Sequence, residues 1–320
     1  MRVIEPALQG RLAARLRDAT IQVIGRQADI AGNSVCACGN NVNTLLLSAL
    51  AVPGMAMAED GGGTQHKEGI HVIPASAHTV TSNVSLTSNY LYRGISQTGG
   101  KPALQGGFDY AHASGFYAGA WGSSISWISD LGLASSAGLE LDTYLGFKNG
   151  FAEDFSYDVG YLRYNYPGTY VSPLPLGFAK ANTDEIYGAI GWKWLTLKYS
   201  RALGDTFAVD NAGGSNYVEL NASYSLADSG ITLGAHYGKQ TYKAEQSLTA
   251  LGYTTDAATY SDYKLSASKD FSGYVVGLAV SSTNVKKDGP GLNYYTAVKP
   301  DGSAYNLGKG TAILSVSHAM

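Results

Sequence analysis

The feature that most constrains this chain is a two-residue alternation of apolar and polar side chains that recurs from Thr79 to the end. The stretch NVSLTSNYLYRGISQT, residues 83–98, sets the pattern. Val84, Leu86, Ser88, Tyr90 and Tyr92 share one parity, and Ser85, Thr87, Asn89 and Arg93 share the other. A period of two belongs to a β-strand whose faces meet different surroundings. Twelve such segments follow one another, at about 79–95, 101–113, 115–127, 137–149, 154–166, 183–192, 194–201, 215–227, 230–242, 259–270, 272–284 and 309–318. In the eighth, Val218, Leu220, Ala222, Tyr224 and Leu226 oppose Glu219, Asn221, Ser223 and Ser225. The fourth sets Leu139, Leu141, Leu145 and Phe147 against Glu140, Asp142, Tyr144 and Lys148; the tenth sets Tyr263, Leu265 and Ala267 against Asp262, Lys264, Ser266 and Ser268.

Length separates the two environments such strands can serve. Most segments are near ten residues, enough for a tilted strand to cross a bilayer, whereas soluble strands are commonly about half that. Tight links at Ser114-Gly115, Asp228-Ser229-Gly230 and Phe271-Ser272-Gly273 alternate with long ones at 167–182, 243–258 and 285–308, the loop asymmetry of a membrane barrel. Aromatic residues gather near segment ends, and Tyr90, Tyr92, Trp121, Trp127, Trp192 and Trp194 are expected at the lipid interface, where a ring can be apolar and its polar tip wet. Forty Gly, 23 Tyr and only 15% charged residues suit many strands joined by turns. The expected fold is all-β: an antiparallel transmembrane β-barrel of about 12 strands over residues 79–320, closed because an open sheet edge is not tolerated in hydrocarbon. In that reading the Tyr90/Tyr92 face meets lipid and the Asn89/Arg93 face meets the lumen. A soluble β-sandwich would allow the same alternation, but strand length, loop asymmetry and the aromatic ends argue against it.

Ahead of the strands, residues 42–58 (VNTLLLSALAVPGMAMA) form an apolar run closed by Ala56-Met57-Ala58, the small-x-small pattern of a signal peptidase site. The run is shorter than the ~20 residues of a spanning helix, so export with cleavage after Ala58 is expected. Residues 1–58 then form a presequence, of which 1–41 read as an unusual extension or a mis-annotated start, because the nearest upstream positive charge is Arg26. Residues 59–78 lack periodicity and read as a flexible arm, in which His66, His71 and His78 lack companions at metal-ligand spacing. Both cysteines, Cys36 and Cys38, precede the cleavage point. Without residues 1–58, which hold five Arg and three acids, 17 basic and 22 acidic residues remain, a net charge of −5. No basic cluster exceeds Lys286-Lys287, so no nucleic-acid partner is expected.

Parity assigns a set of lumen-lining candidates: Arg93, Gln105, Asp109, Glu140, Asp142, Lys198, Glu219, Asp262 and Lys264. Twelve strands enclose a narrow lumen, between the filled eight-stranded barrel and the wide porins, so its lining decides what passes. Mixed signs imply weak ion selectivity, and the same residues could instead form a hydrogen-bonded plug. His112 and His236 are strand-borne histidines, but no G-x-S-x-G elbow or comparable motif accompanies them, so no catalytic residue, metal or cofactor is assigned. The expected function is a narrow porin-like channel for small polar solutes. A lipid-modifying barrel enzyme and a plugged structural or binding barrel are the alternatives.

The elements NVSLTSNYLYRGISQT, KPALQGGFDY (101–110), SGFYAGAWGSS (114–124), ELDTYLGF (140–147) and YDVGYLRYNYPG (157–168) together resemble the Gcw_chp family of proteobacterial proteins. The resemblance covers about residues 79–320. It implies an outer-membrane β-barrel of a Gram-negative bacterium, with outer-membrane lipid and the barrel-assembly machinery as partners, and carries no catalytic residues with it. The chain ends ILSVSHAM, with Met320 where such barrels usually end in an aromatic residue, and assembly is expected to be less efficient for it.

Overall fold

The computed structural model describes residues 77–226, 229–286, 294–298 and 304–320. Residues 1–58 of the expected presequence and 59–76 of the arm lie outside the described residues, and with them Cys36, Cys38, His66 and His71. Twelve strands form the wall: β1 (His78–Thr87), β2 (Ala103–His112), β3 (Phe116–Ser124), β4 (Leu139–Ala152), β5 (Phe155–Asn165), β6 (Thr183–Trp192), β7 (Leu195–Ala202), β8 (Asn216–Leu226), β9 (Ile231–Thr241), β10 (Tyr260–Phe271), β11 (Tyr274–Thr283) and β12 (Thr311–Ala319). Each pairs antiparallel with its sequence neighbours, and β12 pairs with β1 to close the barrel. Leu86 lies opposite Leu104 on one side and Val316 on the other. The Ser82 amide donates to the Met320 carbonyl at 2.9 Å and the Met320 amide donates to the Ser82 carbonyl at 2.8 Å, so Met320 is paired into the seam. No strand is left with a free edge in the wall, as the absence of water in hydrocarbon requires.

The side chains are arranged inside out relative to a soluble barrel. Along β4, Glu140, Asp142 and Tyr144 are buried while Leu139, Leu141, Leu145 and Phe147 are exposed. The other strands continue this outer belt with Leu86, Leu104, Phe108, Ile186, Leu197, Val218, Leu220, Leu265, Leu278 and Leu314. An apolar surface of this extent around a charged interior is stable only when lipid covers it. Phe151, Phe155, Tyr157, Trp192, Trp194, Phe271 and Tyr274 are exposed beside the short turns, where a headgroup girdle belongs. Nearer the opposite end, on the outer surface, Arg163 grips Asp184 through two bonds of 2.8 and 2.9 Å.

Inside, tyrosines lie flat over glycines of the adjacent strand. Tyr144 stands opposite Gly119, Tyr117 opposite Gly146 and Tyr187 opposite Gly160. A Cβ at any of these glycines would fall within 2.6 Å of the ring. These sockets pin the rings against the wall and leave the centre to other chain segments.

The long connections all leave the same end, termed here the loop side. From their described residues, Ile125, Trp127, Ile128, Phe207, Val209, Leu248, Tyr294 and Tyr295 pack into a buried aromatic core at the mouth. The connection 125–138 contains helix α1 (Trp127–Asp130), and 242–259 contains α2 (Glu245–Ala250) and α3 (Thr255–Ala258). The twelve expected segments coincide with the twelve wall strands to within two residues except at three ends, one of them that of the fourth, which runs on to Ala152 rather than 149. The first leaves the wall at Ser88 rather than continuing to residue 95, and the third ends at Ser124, with Trp127 in α1.

Leu220 is outward and exposed near the middle of β8. A Leu220→Arg variant is expected to lose ~2–4 kcal/mol of membrane-inserted stability, read by denaturant titration in lipid vesicles; unchanged stability would mean that this face does not meet lipid.

Candidate functional site

Beyond Thr87 the chain turns through the mouth and enters the lumen as a hairpin. Leu91–Tyr92 pairs antiparallel with Ile95–Ser96, leaving Arg93-Gly94 as a two-residue turn. Both turn residues have positive φ, +43° at Arg93 and +77° at Gly94. This is the backbone of a type I′ hairpin. A non-glycine residue there costs on the order of 1–3 kcal/mol, so Arg93 is held by its surroundings against local preference. Asn89 anchors the base: its side-chain carbonyl accepts from Ser96 Oγ at 2.7 Å and from Thr98 Oγ1 at 3.2 Å. The Gln97 amide donates to the Tyr90 carbonyl at 2.7 Å. The NYLYRGISQT element is therefore one structural unit.

The hairpin crosses the barrel. At its base, the Tyr90 hydroxyl donates to Glu140 on β4 at 3.3 Å, and its ring meets Trp121 on β3 edge-on with centroids 5.6 Å apart. Midway, Tyr92 packs against Tyr164 of β5 and Phe207 of the 203–215 connection. At the tip, Arg93 reaches β6, β8 and β9. Its Nη2 lies 3.4 Å from Glu185 Oε2, its Nη1 donates to Gln240 Oε1, and its Cζ sits 3.8 Å from the centre of the Tyr217 ring. Gly94 presses on the far wall, where an added Cβ would fall 2.6 Å from Asp262 Cβ and 2.7 Å from Thr283 Cγ2. Backbone bonds tie the hairpin to the mouth as well, from the Ser96 amide to the Leu307 carbonyl at 2.9 Å and from the Ser126 amide to the Gln97 carbonyl at 3.1 Å.

Below the hairpin, toward the short turns, lies a second polar layer. Lys198 stands 3.9 Å from Glu219 and 4.7 Å from the Tyr187 ring centre. His236 shares its ring nitrogens with Asn221 at 2.6 Å, Asp262 at 2.9 Å and Tyr217 at 3.0 Å. Tyr117 donates to Asp158 at 2.5 Å, and Tyr144 donates to Asp109. Lys148 and Lys264 complete the layer from β4 and β10. Both oxygens of Asp142 lack a hydrogen-bond partner among the described residues, and its charged neighbours are Glu140 and Glu185.

The structure places Gln105, Glu140, Asp142, Lys198, Glu219 and Asp262 buried on the inner face and Asp109 and Lys264 half-buried there. Arg93 is inside too, but on the hairpin rather than on the wall. Trp192 and Trp194 lie outside at the β6–β7 turn, 43% and 44% exposed. Four interface assignments are corrected. Tyr90 (1% exposed), Tyr92 (2%), Trp121 (5%) and Trp127 (1%) are inside the protein, away from lipid. Parity has meaning only while the chain stays in the wall, and Tyr90 and Tyr92 lie beyond its end. In β3 the outward positions after Phe116 are Ala118, Ala120, Gly122 and Ser124, so Trp121 looked like the apolar face while pointing inward. His236 likewise faces the lumen network rather than a lipid-facing rim. The reading from sequence missed Glu185, Tyr217 and Gln240 as partners of Arg93. An Arg-Gly pair between two short apolar stretches was the available signal of a tight turn.

A closed antiparallel barrel with an apolar exterior, a charged interior and long connections on one side defines a transmembrane barrel of the bacterial outer membrane. Within that class the chain belongs to the Gcw_chp family, described as bacterial proteins of unknown function, whose model matches residues 71–319. No curated protein matches it by sequence. Among solved structures it is similar to the KdgM porin, at TM-score 0.42 and 7% identity over 75% of this chain and 98% of that one. It is also similar to OmpF of Salmonella typhi, solved as a complex with daunomycin, at 0.39 and 9% over 76% and 97%. OprD of Pseudomonas aeruginosa matches at 0.33 and 14% over 69% and 59%. These likenesses extend to porin-like barrel architecture and no further.

Replacing Gly94 with Ala is expected to drive the hairpin tip off the far wall. Residues 59–320 contain no cysteine, so an Ile95→Cys reporter, buried at 0% exposure, can be followed with a small thiol reagent. Adding Gly94→Ala is expected to speed labelling at least about tenfold, corresponding to ~1.4 kcal/mol; equal rates would show that the tip does not depend on this contact.

Proposed function

We propose that this barrel is a gated, porin-like channel for small polar solutes, closed at rest by the hairpin of residues 88–100. The observation that carries the reading is the contrast between lining and obstruction. Charged and hydrogen-bonding side chains line the inner wall along its length, from Gln240 and Glu185 down to Lys198, Asp158 and Lys148. The obstruction is a separate segment, fixed at its tip by one arginine in a strained backbone conformation. A barrel that served only as a structural anchor has no use for a charged layer below its plug.

A second reading, a permanently plugged barrel whose outer loops bind a partner, draws on the aromatic core at the mouth, where Phe207, Tyr294 and Tyr295 are fully buried. A lipid-modifying activity has less support. Ser114 Oγ lies 2.8 Å from His112 Nδ1, but that nitrogen also accepts the Ser114 amide at 3.1 Å, which makes the contact part of a tight exposed turn.

Conductance of single inserted molecules in planar bilayers tests the channel reading. The native protein is expected to be closed for most of the record with brief openings. Arg93→Ala leaves Glu185 buried without its counter-ion, which weakens the closed state. Its open fraction is expected to rise about tenfold or more, the effect of ~1.4 kcal/mol. An inserted Arg93→Ala protein that stays silent would favour the permanent plug.

A further inference from the structure

We infer that the wall residues Glu185, Tyr217 and Gln240 form a receptor for a small organic cation of the guanidinium type, and that Arg93 occupies it in the closed state as a tethered mimic of that ligand. The inference rests on the channel reading and names the solute class that opens the gate.

The three groups supply what a planar cation requires. Glu185 offers a carboxylate oxygen to Nη2, Gln240 offers an amide carbonyl to Nη1, and the face of Tyr217 lies 3.8 Å under Cζ. A carboxylate, a neutral acceptor and an aromatic face around one cation are the components by which proteins recognise guanidinium and ammonium groups. All three stand on wall strands, β6, β8 and β9, so the cage remains when the hairpin swings out. Its aromatic floor is built in advance. The Tyr217 hydroxyl donates to Asp262 at 2.8 Å and bonds His236 at 3.0 Å, while the ring lies over Gly238, where a Cβ would come within 2.3 Å of it.

Charge around the cage points the same way. Glu140 and Asp142 stand near Glu185, all three are at most 1% exposed, and Arg93 is the basic group the hairpin brings to them. Asp142 makes no hydrogen bond among the described residues. With the hairpin withdrawn, the three acids remain and Arg93 is gone, leaving Lys198 as the basic group acting on Glu185, an excess of acids that draws in a free cation. Arg93 holds its place from a left-handed backbone conformation, so a free ligand competes against a strained one. A guanidinium ion arriving through the lumen would take the Glu185 and Gln240 contacts, and the hairpin would lose its hold on the far wall.

The test adds guanidinium chloride at millimolar concentration to the full-length protein in planar bilayers, against the same concentration of potassium chloride. The open fraction of the native channel is expected to rise saturably with guanidinium and not with potassium. In Arg93→Ala, where the cage is vacant, the same ion is expected to reduce the current by sitting in the path. Adding Glu185→Gln to Arg93→Ala is expected to raise the guanidinium concentration that halves the current at least about tenfold, the weight of one charge-assisted contact. If Arg93→Ala conducts freely but guanidinium neither opens the native channel nor blocks the variant, the receptor is wrong and the channel reading stands. If Arg93→Ala is silent although inserted, the channel reading falls and takes the receptor with it.

Discussion

Everything in this protein depends on the requirement that no backbone amide or carbonyl go unpaired in hydrocarbon. Twelve strands satisfy it only by closing on themselves, and β1 meets β12 through bonds that include the terminal residue Met320. Closure creates two surfaces of opposite chemistry, and alternation distributes them: one residue in two is given to lipid and one to the interior. An interior that wide, in a protein that keeps it charged, has to be filled by water, by side chains or by more chain. This protein uses chain from the connections on one side. Its long connections fold back to pack an aromatic core into the mouth, and the first of them goes deeper and crosses the lumen.

The depth of that crossing follows from side-chain size and from glycine. Tyr144, Tyr117 and Tyr187 lie in glycine sockets, so that large rings line the wall without meeting in the centre. The space kept open admits a hairpin two residues wide at its turn, and Gly94 allows its tip to touch the wall at Asp262 and Thr283. Arg93 then meets three strands at once. The hairpin packs through Tyr90 and Tyr92 but is held at its tip by polar contacts of Arg93, which water or a solute can replace at modest cost.

Much of this was legible before the structure. The wall strands show in the sequence because most keep their two faces apart for about ten residues, most clearly in β4, β8 and β10, where apolar side chains alternate with polar or charged ones. The lumen acids follow from the same parity. The hairpin does not, because its residues carry the alternation on past Thr87 by coincidence. Tyr90 and Tyr92 continue the apolar parity of Val84 and Leu86, yet they belong to a segment that has left the wall. What distinguishes them is tertiary: Ser96 and Thr98 both donate to the Asn89 side chain, which folds residues 89–98 into a unit of their own. Trp121 was hidden for a different reason, since small residues on the outward side of β3 erase the contrast on which face assignment depends. The cage of Glu185, Tyr217 and Gln240 joins residues far apart in the chain, and only barrel closure brings them to Arg93.

The central claim is that residues 88–100 are a removable obstruction across a lumen lined by polar side chains. The most direct measurement is the single-channel conductance of a variant in which residues 89–97 are replaced by a short glycine-serine link, after its barrel is confirmed by heat-modifiable migration. The account predicts steady, long-lived open currents where the native protein shows rare and brief ones. Correctly folded, inserted protein that carries no current would contradict it, placing the seal in the loop core at the mouth rather than in the hairpin.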